Sequence, residues 1–157
     1  MSRESANGHK EPILVSACLL GLATRYDGKT KRSKAVMEYL QGENLLPIPI
    51  CPEQLAGMPT PREKTFFKSG NGLDVLAGEG HVVSESGESM NDIFCRGASM
   101  VLQIGHLSNC RRALLKERSP SCGVHLIYRG EARVPGTGVT TALLIEEGFE
   151  VVSEEDL

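Results

Sequence analysis

Residues 13–21, with the sequence ILVSACLLG, contain the pattern that decides the fold of this 157-residue chain. A short apolar run is followed directly by a turn that contains a cysteine. Residues 45–50 and 112–115 are similar short apolar runs, each followed by a cysteine in a turn. Such runs are typical of strands covered on both faces in a parallel sheet. Because the carboxyl ends of parallel strands lie at one sheet edge, where ligands bind, we expect the cysteines that follow to converge there. These cysteines are Cys18, Cys51 and Cys122.

The apolar spacing between these strands predicts helices. Met90, Phe94 and Val101 belong to a stripe that recurs every three to four residues, which indicates the longest helix. The predicted helices span residues 34–41, with Ser33 as N-cap, 88–108 and 139–147, and a closing strand spans residues 149–152. Minor β-structure is expected as a hairpin of residues 73–76 with 81–84 and as an excursion of residues 124–128 and 131–134. The alternation predicts a three-layer α/β fold of Rossmann-like type, with a mostly parallel sheet and helices on both faces.

Composition restricts the classes of partner. The formal net charge is −3 and the pI is about 5.8, so the chain lacks the basic field that binds nucleic acid polymers or anionic membranes. Trp is absent and aromatic residues make up 4%, which leaves few platforms for stacking on single strands. These values favour a small molecule as the partner and specify no oligomeric state.

The sequence also predicts the domain organisation and the compartment. We expect residues 1–11 to form a disordered N-terminal arm, because they are polar and lack periodicity, and residues 12–157 to form a single domain. Neither an apolar stretch of about 18 residues nor a signal peptide is apparent, so we expect a cytoplasmic protein. The five cysteines, an odd number, favour reduced thiols over a disulfide framework. Cys95 and Cys110 lie in and near the long helix, where a free cysteine usually packs as a small buried hydrophobe.

The three cysteines after the strands indicate a soft metal or an iron-sulfur cluster, because thiolates are the ligands that such groups prefer. Two arrangements are compatible with three thiolates. One is zinc with an open fourth position, and the other is a 4Fe-4S cluster in which one iron lacks a protein ligand. His125 is the nearest candidate for a fourth zinc ligand, since it follows the third cysteine by three residues.

Polar residues with possible catalytic roles lie in the same turns. Glu53 follows the second cysteine by two residues, and a carboxylate beside a metal is a natural general acid or base. Ser119 and Ser121 flank Pro120 just before the third cysteine. Their hydroxyls would position water or substrate, or would satisfy backbone amides in the turn.

Further residues are candidates for substrate binding. Arg25 and Arg62 could bind a carboxyl or carbonyl oxygen through the guanidinium fork. Gly136 begins the segment GTGVT, which opens a predicted helix whose free N–H groups could bind an anion. Because no complete phosphate-binding motif is present, this segment is better interpreted as a tight turn.

Six short motifs occur along the chain in a defined order. They are SACLLG at 16–21, RYDG at 25–28, CPE at 51–53, PR at 61–62, SPSCG at 119–123 and GTGV at 136–139. Together they resemble a family of small bacterial proteins, the thiouracil desulfurases, and the match runs from about Ile13 to the C-terminus. Two segments depart from the family pattern: Glu63–Phe67 stands where a proline and a glutamate are usual, and Ser89–Asn91 replaces an acidic DVT element.

The resemblance implies a 4Fe-4S cluster with three cysteine ligands, Cys18, Cys51 and Cys122, and one iron open to the sulfur of a thiocarbonyl. It implies a desulfurase that acts on a small thiolated heterocycle, such as a thiouracil, and releases sulfide. It also implies Glu53 and Ser119 as the catalytic residues. Two alternatives stay open: a non-catalytic module whose cysteines hold zinc, and a carrier in which one thiol holds a persulfide.

Overall fold

The computed structural model describes residues 9–157, so residues 1–8 of the expected N-terminal arm lie outside the described residues. The strands are β1 (Glu11–Ser16), β2 (Leu45–Ile50), β3 (Thr65–Ser69), β4 (His81–Ser84), β5 (Arg112–Leu115), β6 (Leu126–Arg129), β7 (Ala132–Pro135) and β8 (Glu150–Ser153). The helices are α1 (Lys34–Gly42), α2 (Pro52–Leu55), α3 (Gly72–Leu76), α4 (Asn91–Leu107) and α5 (Val139–Glu146), and the 3-10 turns are Ala17–Leu20 and Glu154–Asp156. None of these helices is long and apolar enough to cross a membrane.

β1 lies in the interior of the first sheet, whose order is β2-β1-β5-β8 and whose strands are all parallel. It pairs with β2 in continuous register, beginning with Glu11 opposite Leu45. β2 lies at the edge of the sheet and has β1 as its one neighbour. Pro47 and Pro49 have no N–H to donate, and at an edge this loss interrupts no hydrogen bonds with a second strand. The predicted strands and the mostly parallel α/β sheet are therefore confirmed.

Alternate residues of β1 face two different helical layers. Ile13 and Val15 pack with Val36 of α1. Leu14 packs on the other face with Val101 of α4, in a cluster that also includes α5. All three β1 side chains are fully buried, and burial of each such side chain contributes roughly 1.5–3 kcal/mol. Cover on both faces explains why this strand is continuously apolar instead of alternating.

A second four-stranded sheet, in the order β4-β3-β6-β7, is a feature that the sequence pattern does not predict. β3 pairs antiparallel with β4, and β6 pairs antiparallel with β7. A parallel contact between Phe67 and Arg129 joins the two hairpins. The expected excursion of residues 124–134 is the β6-β7 hairpin.

The predicted hairpin between residues 73–76 and 81–84 is wrong. Residues 72–76 form α3, and β4 pairs with β3 instead. A capping box starts α3: the side chain of Asn71 accepts from the backbone N–H of Asp74, and the carboxylate of Asp74 accepts from the backbone N–H of Asn71. This local hydrogen bonding favours a helix over a strand.

The cysteines outside the predicted site have different surroundings. Cys110 is 6% exposed and belongs to the core between the first sheet and α4, which confirms its prediction as a buried hydrophobe. Cys95 is only half-buried on α4, where it packs against a second core cluster. Both thiols are free.

Candidate functional site

A cleft of about 720 Å³ opens at the carboxyl ends of β1, β2 and β5. Cys18 lies in the 3-10 turn that follows β1, and Cys51 follows β2 and is the N-cap residue of α2. Cys122 lies in the loop between β5 and β6. All three cysteines line the cleft, so the structure brings the cysteines of the three predicted strands together.

Helix packing positions the second cysteine. The α4 backbone lies against α2 at Gly97, where a Cβ atom would be 2.3 Å from the carbonyl oxygen of Pro52. Only glycine allows this approach, because any other residue would displace the Pro52 backbone. The longest helix therefore supports the turn that contains Cys51 and Glu53.

Burial raises the pKa of all three thiols. It raises the pKa of Cys18 to about 11, with Lys116 acting in the opposite direction and the sulfur of Cys51 raising it further. Burial also raises the pKa of Cys51 and takes that of Cys122 well above its ordinary value, where charge on Cys51 and Cys18 adds to the shift. Thiolates in this space need a bound cation, and metal ions deprotonate coordinating thiols outright. The donor set therefore fits a metal cluster.

The spacing of the possible ligands bears on the type of metal. Within residues 9–157, no three His, Cys, Asp or Glu side chains form a group that could hold one metal ion. The ring of His125, the candidate fourth zinc ligand, is bonded instead to the carboxylate of Asp156, with its Nε2 atom 3.0 Å from both oxygens. A cluster of several iron and sulfur atoms takes more widely separated cysteines than a single ion does.

Glu53 lines the cleft, and side chains hold both of its carboxylate oxygens. Its Oε1 atom accepts from Nε of Arg62 at 2.7 Å, and its Oε2 atom accepts from the hydroxyl of Ser121 at 2.8 Å. The side chains of Glu53 and Arg62 are 13% and 5% exposed, so the pair is largely removed from solvent. Both oxygens of the carboxylate are thereby oriented by the protein.

Ser119 and Ser121 have different partners. The hydroxyl oxygen of Ser119 accepts from the backbone N–H groups of Ser121 and Cys122, each at 3.1 Å. Because a hydroxyl has one proton and two acceptor lone pairs, these bonds leave the Ser119 proton for a substrate or for water. Ser121 instead donates its proton to Glu53.

Glu117 organises the loop that contains Cys122, and sequence reasoning missed this role. It is 2% exposed, and its Oε1 atom accepts from the backbone N–H groups of Val124, His125 and Leu126 at 2.6, 2.8 and 3.1 Å. Burial alone would raise the pKa of Glu117, but these hydrogen bonds outweigh it and the pKa is lowered. Nothing in the sequence around Glu117 distinguishes it from an exposed glutamate.

The N-terminus of α5 is occupied by the same loop. The backbone N–H of Val139 donates to the carbonyl of Pro120, and that of Thr140 donates to the carbonyl of Ser121, each at 2.8 Å. These amides are therefore satisfied within the protein, as the tight-turn interpretation predicts. Gly136 is not among the residues that line the cleft, and its N–H donates to the carbonyl of His125.

Arg25 belongs to a cationic part of the cleft wall. Its guanidinium carbon lies 5.6 Å from the centroid of the Tyr26 ring, and its Nη1 atom lies 3.8 Å from Oδ2 of Asp27. Its charge also lowers the pKa of Cys18. Other basic residues that line the cleft are Lys31, Arg62, Lys64, Lys116 and Arg118.

The two departures from the family pattern lie in different places. Lys64, Thr65 and Phe66 line the cleft at the start of β3. Asn91 instead ties α4 to β4, since its side chain accepts from the N–H of Val82 and donates to the carbonyl of Gly80, each at 2.8 Å. Only the first departure can therefore alter the cleft directly.

Comparisons with known proteins agree over nearly the whole chain. A sequence profile of the 2-thiouracil desulfurase family matches residues 13–156. The uncharacterized protein YbbK of Bacillus subtilis (strain 168) is 38% identical over 148 residues, which cover 92% of this chain and 97% of that protein. Among solved structures, the 4Fe-4S-dependent thiouracil desulfidase TudS matches with a TM-score of 0.80 and 41% identity, over 94% of this chain and 93% of that one.

Proposed function

The chain belongs to the 2-thiouracil desulfurase family, as its motifs predict, and from this premise we propose the reaction that it catalyses. It is a 4Fe-4S-dependent desulfurase of the thiouracil desulfurase type. The proposed substrate is a small thiolated heterocycle such as a thiouracil, and the proposed products are the oxygen analogue and sulfide. The observation that carries this proposal is the cleft that contains the thiols of Cys18, Cys51 and Cys122 together with Glu53.

Cys18, Cys51 and Cys122 are the proposed ligands of the 4Fe-4S cluster, with one iron left open. The support is chemical: the three thiols share one cleft, desolvation raises the pKa of each, and Cys51 raises the pKa of the other two, so that a cationic group would stabilise all of them as thiolates. When bound, the cluster supplies a thiophilic Lewis acid that polarises a C=S bond.

Glu53 is the proposed general base and acid. Its fixed carboxylate takes a proton from water as the oxygen attacks the thiocarbonyl carbon, and returns it to the departing sulfur. The carbon gains the oxygen of one water molecule, and sulfur leaves with the two protons of that water. The exchange is neutral in electrons and needs no external oxidant or reductant.

Ser119 and Arg25 are proposed to act on the substrate. The hydroxyl proton of Ser119, which no partner in the turn takes, would be donated to a ring heteroatom or to the attacking water. Arg25 is the proposed contact for a carbonyl oxygen at the cleft wall. The proposed compartment is the cytoplasm, because all five cysteines are free and a thiolate-bound cluster requires reducing conditions.

Anaerobic reconstitution with iron and sulfide tests the proposal. We expect brown protein with cluster absorbance that converts thiouracil to uracil and releases one sulfide per uracil formed. A Glu53→Gln variant is expected to keep its iron and to lose about 10²–10⁴-fold in kcat, the range for a missing acid-base group. Glu38→Gln, on the exposed face of α1, is the matched control and is expected to behave as the wild type.

Other results would contradict the proposal in distinguishable ways. Colourless protein without activity would reject the cluster. One zinc per chain, together with a Glu53→Gln variant that matches the wild type in every assay, would indicate the non-catalytic module. One additional sulfur atom on the freshly purified chain, detected by mass spectrometry in a protein that lacks the cluster, would indicate the persulfide carrier.

A further inference from the structure

Arg62 contacts two different parts of the candidate site. Its Nε atom donates to Oε1 of Glu53 at 2.7 Å, and its Nη2 atom donates to the sulfur of Cys51 at 3.9 Å. The side chain is 5% exposed, so both contacts lie away from bulk water. One guanidinium therefore joins the proposed proton-transfer residue to a proposed cluster ligand.

Every donor of this guanidinium has an acceptor within the protein. A guanidinium has five N–H donors, and Glu53 and Cys51 account for two of them. The others are directed to the carbonyl of Pro59 at 3.2 Å, the hydroxyl of Thr60 at 3.0 Å and the carbonyl of Thr24 at 2.9 Å. Contact between Arg62 and a substrate oxygen would require one of these bonds to break.

The backbone of Arg62 is anchored as well. Its N–H donates to the carbonyl of Tyr26 at 2.8 Å, which ties the segment after α2 to the loop after β1. That loop also supplies Thr24, whose carbonyl lies 3.8 Å from the sulfur of Cys51 as well as accepting from Arg62. The side chain that holds Glu53 is thus itself fixed at both ends.

We propose that Arg62 is a positioning residue that acts through Glu53 and Cys51, not a residue that binds substrate. It fixes one carboxylate oxygen while Ser121 fixes the other, so that the remaining lone pairs of Glu53 keep one orientation toward water. Its N–H on the sulfur of Cys51 stabilises the thiolate and tunes the group that this thiolate holds. The inference deepens the proposed function and rests on it.

Lysine cannot replace Arg62 in this role. An ammonium concentrates three donors on one nitrogen, whereas the planar guanidinium spreads five donors over three nitrogens. Arg62→Lys therefore keeps the positive charge near Glu53 but cannot also reach Cys51, Thr24 and Pro59. The variant therefore distinguishes the effect of losing these contacts from the effect of losing the positive charge.

A double-mutant cycle on reconstituted enzyme tests whether Arg62 acts through Glu53. Arg62→Lys alone is expected to lower kcat by about 10–100-fold, with KM changed by less than about threefold. In the Glu53→Gln background, the same substitution is expected to change kcat by less than about twofold, because the group that it positions is already lost. Equal losses in both backgrounds, or a change confined to KM, would overturn the proposal.

The contact with Cys51 is tested by the reduction potential of the cluster in the same proteins. Loss of an N–H donor to the thiolate is expected to move the potential of Arg62→Lys to a more negative value. Arg112→Lys is the matched control. Arg112 lies at the start of β5, away from the cleft, and the substitution weakens its contacts with Glu150 and Tyr39. An unchanged potential in Arg62→Lys would overturn this part. Failure of the wild type on thiouracil would reject the proposed substrate, whereas the potential would still decide the role of Arg62.

Discussion

Glu117 shows how a single buried charge fixes the loop that contains Cys122. Its carboxylate accepts from the successive N–H groups of residues 124–126 and also from the N–H of Arg118. Residues 119–123, which contain Ser119 and Cys122, are enclosed between these contacts. Because four backbone donors converge on one oxygen, Glu117 is the residue that closes this loop on itself.

Glu117→Gln is expected to lower the free energy of unfolding by about 2–3 kcal/mol, since hydrogen bonds to a charged group are worth roughly 1.5–3 kcal/mol. The direction in which this contribution changes with pH follows from the lowered pKa of Glu117 in the folded state. Its contribution is present above the unfolded pKa and is lost as the pH falls through the folded pKa. Urea unfolding at neutral and acidic pH measures both effects, and Glu38→Gln serves as the exposed control. Equal stability of the two variants at neutral pH would contradict the assignment.

The elements of the first sheet follow from local sequence, whereas those of the second sheet do not. β1 and β2 are apolar runs of the length of a strand, and the Ser33 N-cap of α1 is present, with its hydroxyl accepting from the N–H of Val36 at 3.2 Å. β3 is short, and one parallel contact joins Phe67 to Arg129 of β6, which belongs to a different hairpin far along the chain. Such pairing leaves no periodicity that a single sequence reveals.

The candidate site likewise has features that local sequence predicts and features that it does not. The position of the three cysteines after strands could be predicted, because the strands are adjacent and parallel. The contacts of Glu53 could not, since Ser121 is bonded to it across 68 positions of sequence and Arg62 reaches it around a loop. Residues 73–76 form a helix where the sequence pattern predicts a strand, because a short apolar run fits both and the capping box at Asn71 decides between them.

Close packing between α5 and the Cys122 loop makes a prediction at the level of elements. A Cβ atom at Gly138 would lie 2.4 Å from the carbonyl carbon of Ser121 and 2.6 Å from the backbone nitrogen of Cys122. Gly138→Ala must therefore displace the loop, and we expect less iron per chain after reconstitution and a loss of about 1–3 kcal/mol in stability. Gly42→Ala, where no atom lies within 4 Å of the added Cβ, is the control. Wild-type iron content and stability in Gly138→Ala would contradict this expectation.

Across the whole molecule, the last residues of the chain are joined to the segment that contains the third cysteine. Three consecutive acidic residues, Glu154, Glu155 and Asp156, pair in turn with Lys116, Arg118 and His125. Glu154 also accepts from the backbone N–H of Glu117 at 2.8 Å. The C-terminal 3-10 turn thus packs against the residues on both sides of the loop that contains Cys122, and its contacts stabilise that loop.

The His125–Asp156 pair gives this connection a pH dependence. The hydrogen bond to Asp156 raises the pKa of His125, with further support from the charges of Glu117 and Glu155, while the N–H of Ser153 is the main cause that lowers the pKa of Asp156. Because the folded pKa of His125 lies above the unfolded one, its stabilisation is present below the unfolded pKa near 6.5 and is lost as the pH rises through the folded pKa. The ring is 58% exposed, so the loss is expected to be about 0.5 kcal/mol. Urea unfolding between pH 5.5 and 8.5 should show this decline in the wild type and a flatter profile in His125→Gln, and identical slopes would exclude the pair as the cause.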